Sequence, residues 1–281
     1  IEPGTIIFGR SGSDYLVVSR DSTIEAVGES DAPVIMTSFN DVVGDEVGAG
    51  QWGGVIILGN APSTKCPQDG TSCALQVEGV ESGAVFGGTD STDNSGTLNY
   101  VVVKYAGFEI APDNELNGIT FGGVGSGTTI DYLQIHANAD DGVEFFGGSV
   151  NAKHLVLTSI QDDSVDWDNG YNGKLQYVYI VHASDGSDAN RGIEGDGDGG
   201  DGLNFSLPQI ANLTIVGNDF NTDETDSEGV LLRDQTGAHI TNMLITGAAG
   251  TGEGLEMDTD ATVQANLSDG DLTISYSAIA C

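Results

Sequence analysis

The chain has 281 residues, and 43 Asp and Glu against 8 Lys and Arg give it a formal net charge of −35. Eight scattered basic side chains cannot build the phosphate-neutralising patch that nucleic acid requires, nor hold the protein to an anionic membrane surface. Apolar residues still make up 38% of the sequence, enough for a core, so the chain reads as a folded protein whose mutual carboxylate repulsion calls for bound cations.

From the N-terminus, TIIFG (5–9), YLVVS (15–19), TIEAVG (23–28), PVIMTS (33–38) and GVIILG (54–59) are short β-prone runs separated by Gly, Ser and Asp. They are expected to form the first coils of a solenoid, over residues 1–61. The start Ile1-Glu2-Pro3 fits a processed, exported chain, and the expected location is secreted or extracellular. No run approaches the roughly 20 apolar residues of a membrane helix. Residues 62–97 are poor in β-runs and read as a long loop excursion from the solenoid wall. Within it Cys66 and Cys73 bracket a polar turn, where a local disulfide would staple an exposed loop in an oxidising compartment; two free thiols are the alternative. Cys281 is left without a partner.

From residue 98 to 281 the chain repeats. LNYVVV (98–103), IDYLQI (130–135), AKHLVL (152–157), LQYVYI (175–180), IANLTI (210–215) and ITNMLI (240–245) share the pattern apolar-x-x-apolar-x-apolar. Each is paired with a second short motif: GITF (118–121), GVEF (142–145), SVDW (164–167), GIEG (192–195), GVLL (229–232) and GLEM (254–257). The first apolar residue of the second motif recurs at intervals of 24, 22, 28, 37 and 25 residues, so insertions lengthen loops without disturbing a stack. Alternation within each run predicts strands with one face inside, and no segment carries a capped 3.6-residue stripe, so almost no helix is expected. The fold class is therefore all-β: a single-domain, single-stranded right-handed parallel β-helix of roughly ten coils, with strands stacked about 4.8 Å apart.

Residues 23–185, and specifically the blocks ADDGVEFFGGSV and QDDSVDWDNGYNG, resemble a group of secreted or surface-anchored bacterial proteins with parallel β-helix folds. That resemblance implies the fold and an extracellular location, and brings no established catalytic residues.

Equivalent positions of successive coils lie above one another in a parallel solenoid, so the second motif predicts ladders. Its outward mid-strand position reads Thr120, Glu144, Asp166, Glu194, Leu231, Glu256, and two places upstream of the first apolar residue come Asn117, Asp141, Asp163, Arg191, Glu228 and Glu253. Opposed like charges destabilise by up to about 1 kcal/mol per pair. Calcium answers that cost, because it takes about six to eight oxygens in flexible geometry and uses carboxylates, amides and loop carbonyls. The candidate metal ligands are Asp140, Asp141, Glu144, Asp162, Asp163, Asp166 and Asp168, together with the ladder acid Glu194, and the loop residues Asp196, Asp198 and Asp201 as a second centre; a solvated acidic face is the plainer alternative. Neither 166–177 nor 196–207 is an EF-hand loop, so the fold itself would have to build the sites.

A further ladder, Tyr100, Tyr132, His154, Tyr177, Asn212 and Asn242, is expected to stack ring on ring and amide on amide, the alternative being a strip on which sugars lie. As to function, an extracellular structural or adhesive protein is expected, stabilised by calcium and self-assembling through its helix ends into a homo-oligomer, fibre or surface layer. The final run DLTISYSAIAC, an uncapped edge, supports that expectation. The alternative is a carbohydrate-active enzyme of the β-helix type, a polysaccharide lyase or glycoside hydrolase, with a polysaccharide as partner. For that reading no catalytic residue can be assigned: Arg191 and Arg233 are the only basic residues on the acidic wall, and His136, His154, His182 and His239 are isolated.

Overall fold

A computed structural model describes residues 1–67, 72–80, 83–111, 114–183, 191–197, 205–218, 228–247, 253–258 and 261–280. Two parallel sheets wind along one axis. An 11-stranded sheet contains the long strands Gly96–Lys104, Thr129–His136, Asn151–Thr158, Lys174–Val181, Gln209–Val216 and Ala238–Thr246, paired in that order. An 8-stranded sheet contains the short strands Tyr15–Val18, Gly54–Leu58, Ile119–Gly122, Val143–Phe146, Val165–Asp168, Ile193–Gly195, Val230–Leu232 and Glu256–Met257. The chain alternates between the sheets, one long and one short strand per turn, and is a right-handed parallel β-helix.

The repeat fixes the register. Leu98, Ile130, Ala152, Leu175, Ile210 and Ile240 are Cα partners in succession, as are Ile119, Val143, Val165, Ile193 and Val230. These residues line one continuous core, where the Phe145 ring stacks between Phe121 and Tyr171 at 5.1 and 4.4 Å. The two large polar rings of the core are satisfied: Trp167 Nε1 donates to Thr236 Oγ1 at 3.0 Å and the Tyr171 hydroxyl to the Val150 carbonyl at 2.9 Å. Helix is confined, among the described residues, to Phe39–Val43 and Ala261–Asp269.

Each long strand is bent at its ladder residue. Tyr100, Tyr132, His154, Tyr177, Asn212 and Asn242 have φ between 50° and 63°, and the Cα pairing skips them, passing from Asp131↔Lys153 to Leu133↔Leu155. The left-handed conformation costs an L-residue roughly 1–2 kcal/mol, and lateral contacts offset it here. The Tyr100, Tyr132, His154 and Tyr177 rings stack at 4.4, 4.3 and 4.9 Å, and Asn242 Nδ2 donates to Asn212 Oδ1. The ring faces are turned to each other, the stacked arrangement expected from sequence.

The 62–97 excursion does not stand away from the wall. Its Cys66–Cys73 disulfide forms, Arg20 Nη1 donates to the Cys73 and Gly87 carbonyls at 2.7 and 2.8 Å, and the antiparallel pair Leu75–Gln76 and Val85–Phe86 lies over the short-strand sheet. Its anchor is a second apolar cluster, in which Ile56 and Leu58, facing away from the core, meet Val77, Ala84, Phe86 and Leu116.

Because the ladder position demands a left-handed backbone, Tyr177→Asn and Tyr177→Val should differ sharply although Tyr177 is largely exposed. The valine variant should be less stable than the asparagine variant by about 1–2 kcal/mol in chemical denaturation. Equal stabilities would show that the bend is not conformationally demanding.

Candidate metal centre on the short-strand wall

The outward ridge of the short-strand sheet reads Val17, Ile56, Thr120, Glu144, Asp166, Glu194, Leu231 in strict register. The upstream column follows by coil-to-coil backbone bonds, since Gly118, Gly142, Ser164 and Gly192 N–H groups donate to the carbonyls of Asp141, Asp163, Arg191 and Glu228. Both ladders lie under cover. The excursion and the segment before Ile119 pack over this face, with Gly79 N–H donating to Asn114 Oδ1 at 2.8 Å. Asp141, Glu144, Asp163, Glu194, Arg191 and Glu228 are buried, each at most 9% exposed.

Along this wall the carboxylates fall into two chemical groups. Downstream, the chain supplies its own counterions: Arg191 reaches Glu228 at 2.8 Å, Glu194 at 2.9 Å and Asp163 at 3.6 Å, while Arg233 reaches Glu194 at 3.1 Å and Asp196 at 3.7 Å. Burial opposes the Arg191 charge, but the Asp163, Glu194 and Glu228 carboxylates outweigh it and hold its proton more tightly than usual.

Upstream, among the described residues, no Lys or Arg lies within ion-pair distance of Asp140, Asp141, Glu144 or Asp166. One ligand oxygen from each of Asp140, Asp141 and Asp162 falls within 4.8 Å of the others, and so does one from each of Asp141, Glu144 and Asp166. Local bonds hold the cluster: Asp163 N–H donates to Asp141 Oδ1 at 3.1 Å, Asn117 Nδ2 donates to Glu144 Oε2, and Asn138 Nδ2 fixes the Asp140 and Asp141 carbonyls. Asp163 Oδ1 and Asp166 Oδ1 are buried without a hydrogen-bond donor.

The cost of this arrangement shows in the protonation equilibria. Burial, followed by the charges of neighbouring carboxylates, pushes Asp141, Glu144, Asp163 and Asp166 well above the usual carboxylate range. Asp140 is raised to about 8 by burial and by Asp162, and Asp196 to about 8 by burial and by Asp168. Two groups of three converging carboxylate oxygens, linked through Asp141, fit a hard divalent ion with oxygen ligands.

Of the residues singled out from sequence, the fold thus gathers Asp140, Asp141, Glu144, Asp162 and Asp166. Asp163 joins their edge but is shared with Arg191, and Glu194 and Asp196 belong to the arginine-compensated part. Asp168 faces a cavity under the excursion, and Asp198 and Asp201 lie outside the described residues. Glu78 and Glu115, on the covering segments, act on the cluster through their charges and have no repeat signature. Arg191 did carry a signal, as a basic residue in an otherwise acidic or amide column.

A family model described as a pectate-lyase-like β-helix domain matches residues 1–280. No curated protein and no solved structure matches the chain.

Raised carboxylate pKa values have a definite sign: the folded state binds protons that the unfolded state has released, so stability is greatest below the ordinary carboxylate range and falls as pH rises. With divalent ions removed, the melting temperature should drop progressively from about pH 4 to the neighbourhood of 8, where Asp140 and Asp196 ionise. Scanning calorimetry in EDTA across that range checks it, and a melting temperature that rises through the window contradicts it.

Proposed function

Because the chain belongs to the family of pectate-lyase-like β-helix domains, we propose that its rigid solenoid serves as an extracellular structural or adhesive protein stabilised by calcium on the short-strand wall. The observation that carries this reading is the convergence of Asp141, Glu144 and Asp166, with no Lys or Arg of the described residues in ion-pair reach, in a chain that pairs Glu194 and Glu228 on the same wall with Arg191. A fold that neutralises one part of a wall internally leaves the other part to be relieved by protonation or by an external cation, and the cation is what this reading supplies. Calcium fits best: the available ligands are all oxygens, and it accepts the irregular spacing that coil-to-coil stacking imposes. The Cys66–Cys73 disulfide supports an oxidising, extracellular location. Self-association is supported by the open patch at one end, where Ile6 and Phe8 lie exposed beside Phe39, Val42 and Val43.

A polysaccharide-cleaving enzyme is the second reading. It is favoured by one observation, an Asp140 carboxyl that keeps its proton near neutrality and could serve as a general acid. It is disfavoured by Arg191, whose guanidinium is tied to three carboxylates and is a poor proton acceptor.

Titration calorimetry should detect saturable calcium binding to the full chain. Chelation should lower the melting temperature by about 5 °C, as expected for an ion held at some hundred times its dissociation constant. Asp166→Asn should weaken calcium binding at least tenfold while making the ion-free protein more stable, because one buried charge is gone. No calcium binding, or an ion-free Asp166→Asn protein less stable than the parent, defeats the reading. Cleavage of uronic-acid polymers by the purified chain would favour the enzyme instead.

A further inference from the structure

The outward face of the six long strands is unlike the rest of the molecule in charge. In a chain at −35, the strands Gly96–Lys104, Thr129–His136, Asn151–Thr158, Lys174–Val181, Gln209–Val216 and Ala238–Thr246 together hold one acid, Asp131, against Lys104, Lys153 and Lys174. Three of the four histidines, His136, His154 and His239, stand there as well. Asp131 is bonded to His154 Nδ1 at 2.6 Å, and Lys104 is paired with Asp41 at 2.6 Å. The face is therefore close to neutral, with Lys153 and Lys174 as its remaining cations.

Its centre is apolar. The middle outward row runs Val102, Gln134, Val156, Tyr179, Thr214 and Leu244 in strict register, beside the edges of the stacked Tyr100, Tyr132, His154 and Tyr177 rings. Tyr132, Tyr177, Tyr179 and Leu244 are between 41% and 46% exposed. The lysines keep to the margins, Lys174 and Lys153 towards the strand starts and Lys104 at a strand end. An apolar centre inside a polar margin is the layout of a protein interface. Six strands about 4.8 Å apart, each about eight residues long at about 3.3 Å per residue, make a flat face of about 600–700 Å². That is close to the roughly 800 Å² each partner buries in a standard stable pair.

We infer that two copies of this chain pair through their long-strand walls, face to face about a two-fold axis, each presenting the same surface to the other. A face built for an acidic partner would carry cations in its middle row, and this row has none. Charge instead selects which contact between copies is open. The acidic ridge lies on the opposite sheet, about 10 Å behind this one, which exceeds the Debye length of about 8 Å at physiological salt. Its repulsion is screened across the pair, whereas the apolar contact is not. Tyr179 and Leu244 leave water, and Lys153 and Lys174 stay at the wet rim. This pairing needs neither the calcium cluster nor the end patch around Phe8 and Val42, and uses a different surface from both.

Sedimentation equilibrium of the full chain at fixed calcium concentration, in about 0.05 and about 0.5 M NaCl, tests the pairing. The dimer should tighten at least about tenfold at the higher salt, because screening weakens the repulsion between two acidic copies. Tyr179→Lys and Leu244→Lys should each weaken it at least about tenfold by burying an added cation in both halves. Their melting temperatures should change little, since both side chains are exposed in the single chain. Val42→Ser, in the end patch, should leave the dimer unchanged. In the parent chain, which needs no substitution, amine-reactive labelling of Lys153 and Lys174 should slow at least about twofold at dimer-forming concentrations. A monomer at both salt concentrations, an assembly that loosens with salt, or one broken by Val42→Ser and indifferent to the wall variants overturns the inference. So does binding of poly-glutamate that Tyr179→Lys strengthens, which assigns the wall to an acidic partner instead. Absence of calcium binding in the same samples defeats the calcium reading alone.

Discussion

In-register parallel stacking is the constraint on which everything else in this molecule depends. Each coil sets its residues directly over the equivalent residues of the coil before, at the spacing of strands in a sheet. A choice made once is therefore felt by both neighbours. Where the repeated residue is apolar, as along Leu98, Ile130, Leu175 and Ile240, repetition builds a continuous core. Where it is aromatic or an amide, as along the bend, repetition turns a strained backbone into a column of contacts. Where it is acidic, repetition concentrates charge of one sign, and the fold must find an answer outside the repeat.

The excursion makes that answer urgent. A row of carboxylates on an open wall would be hydrated and screened at small cost. Residues of the hairpin and of the segment before Ile119 dock on Ile56 and Leu58, and the cover they form extends over Asp141 and Glu144. The apolar anchoring of a loop thus sets the electrostatics of residues it does not resemble in sequence. Arg191 shows the internal solution to the same problem, one guanidinium spanning three carboxylates from three coils.

The fold and the register were legible because the repeat writes them several times over: the apolar pattern from Leu98 to Ile245 and the motif from Ile119 to Leu255 each state the same alignment independently. The stacking of Glu144 on Asp166 follows from that alignment alone. The burial of those acids was not legible, because it comes from Glu78, Leu116 and their neighbours, which sit outside the repeat and touch the wall through non-local packing. One local sign existed. The run GVIIL at 54–58 is apolar at consecutive positions, and all five residues are buried, the pattern of a strand covered on both faces. The left-handed bend was also hidden, since Tyr, His and Asn at one column suggest stacking but do not by themselves specify φ.

The bend column and the acid column change character at the same height. Rings stack from Tyr100 to Tyr177 and amides from Asn212 to Asn242, while carboxylates without an arginine in reach end at Asp166 and arginine-paired ones begin in the same coil at Asp163. The continuous core hides a seam. With the proposed cation bound, the same architecture would be held by different means above and below it, one set by the ionic composition of the surroundings and the other carried within the chain. A solenoid built this way would loosen first in the ion-dependent half while the other keeps its stack, so a change in the medium would be felt at a fixed place along the axis.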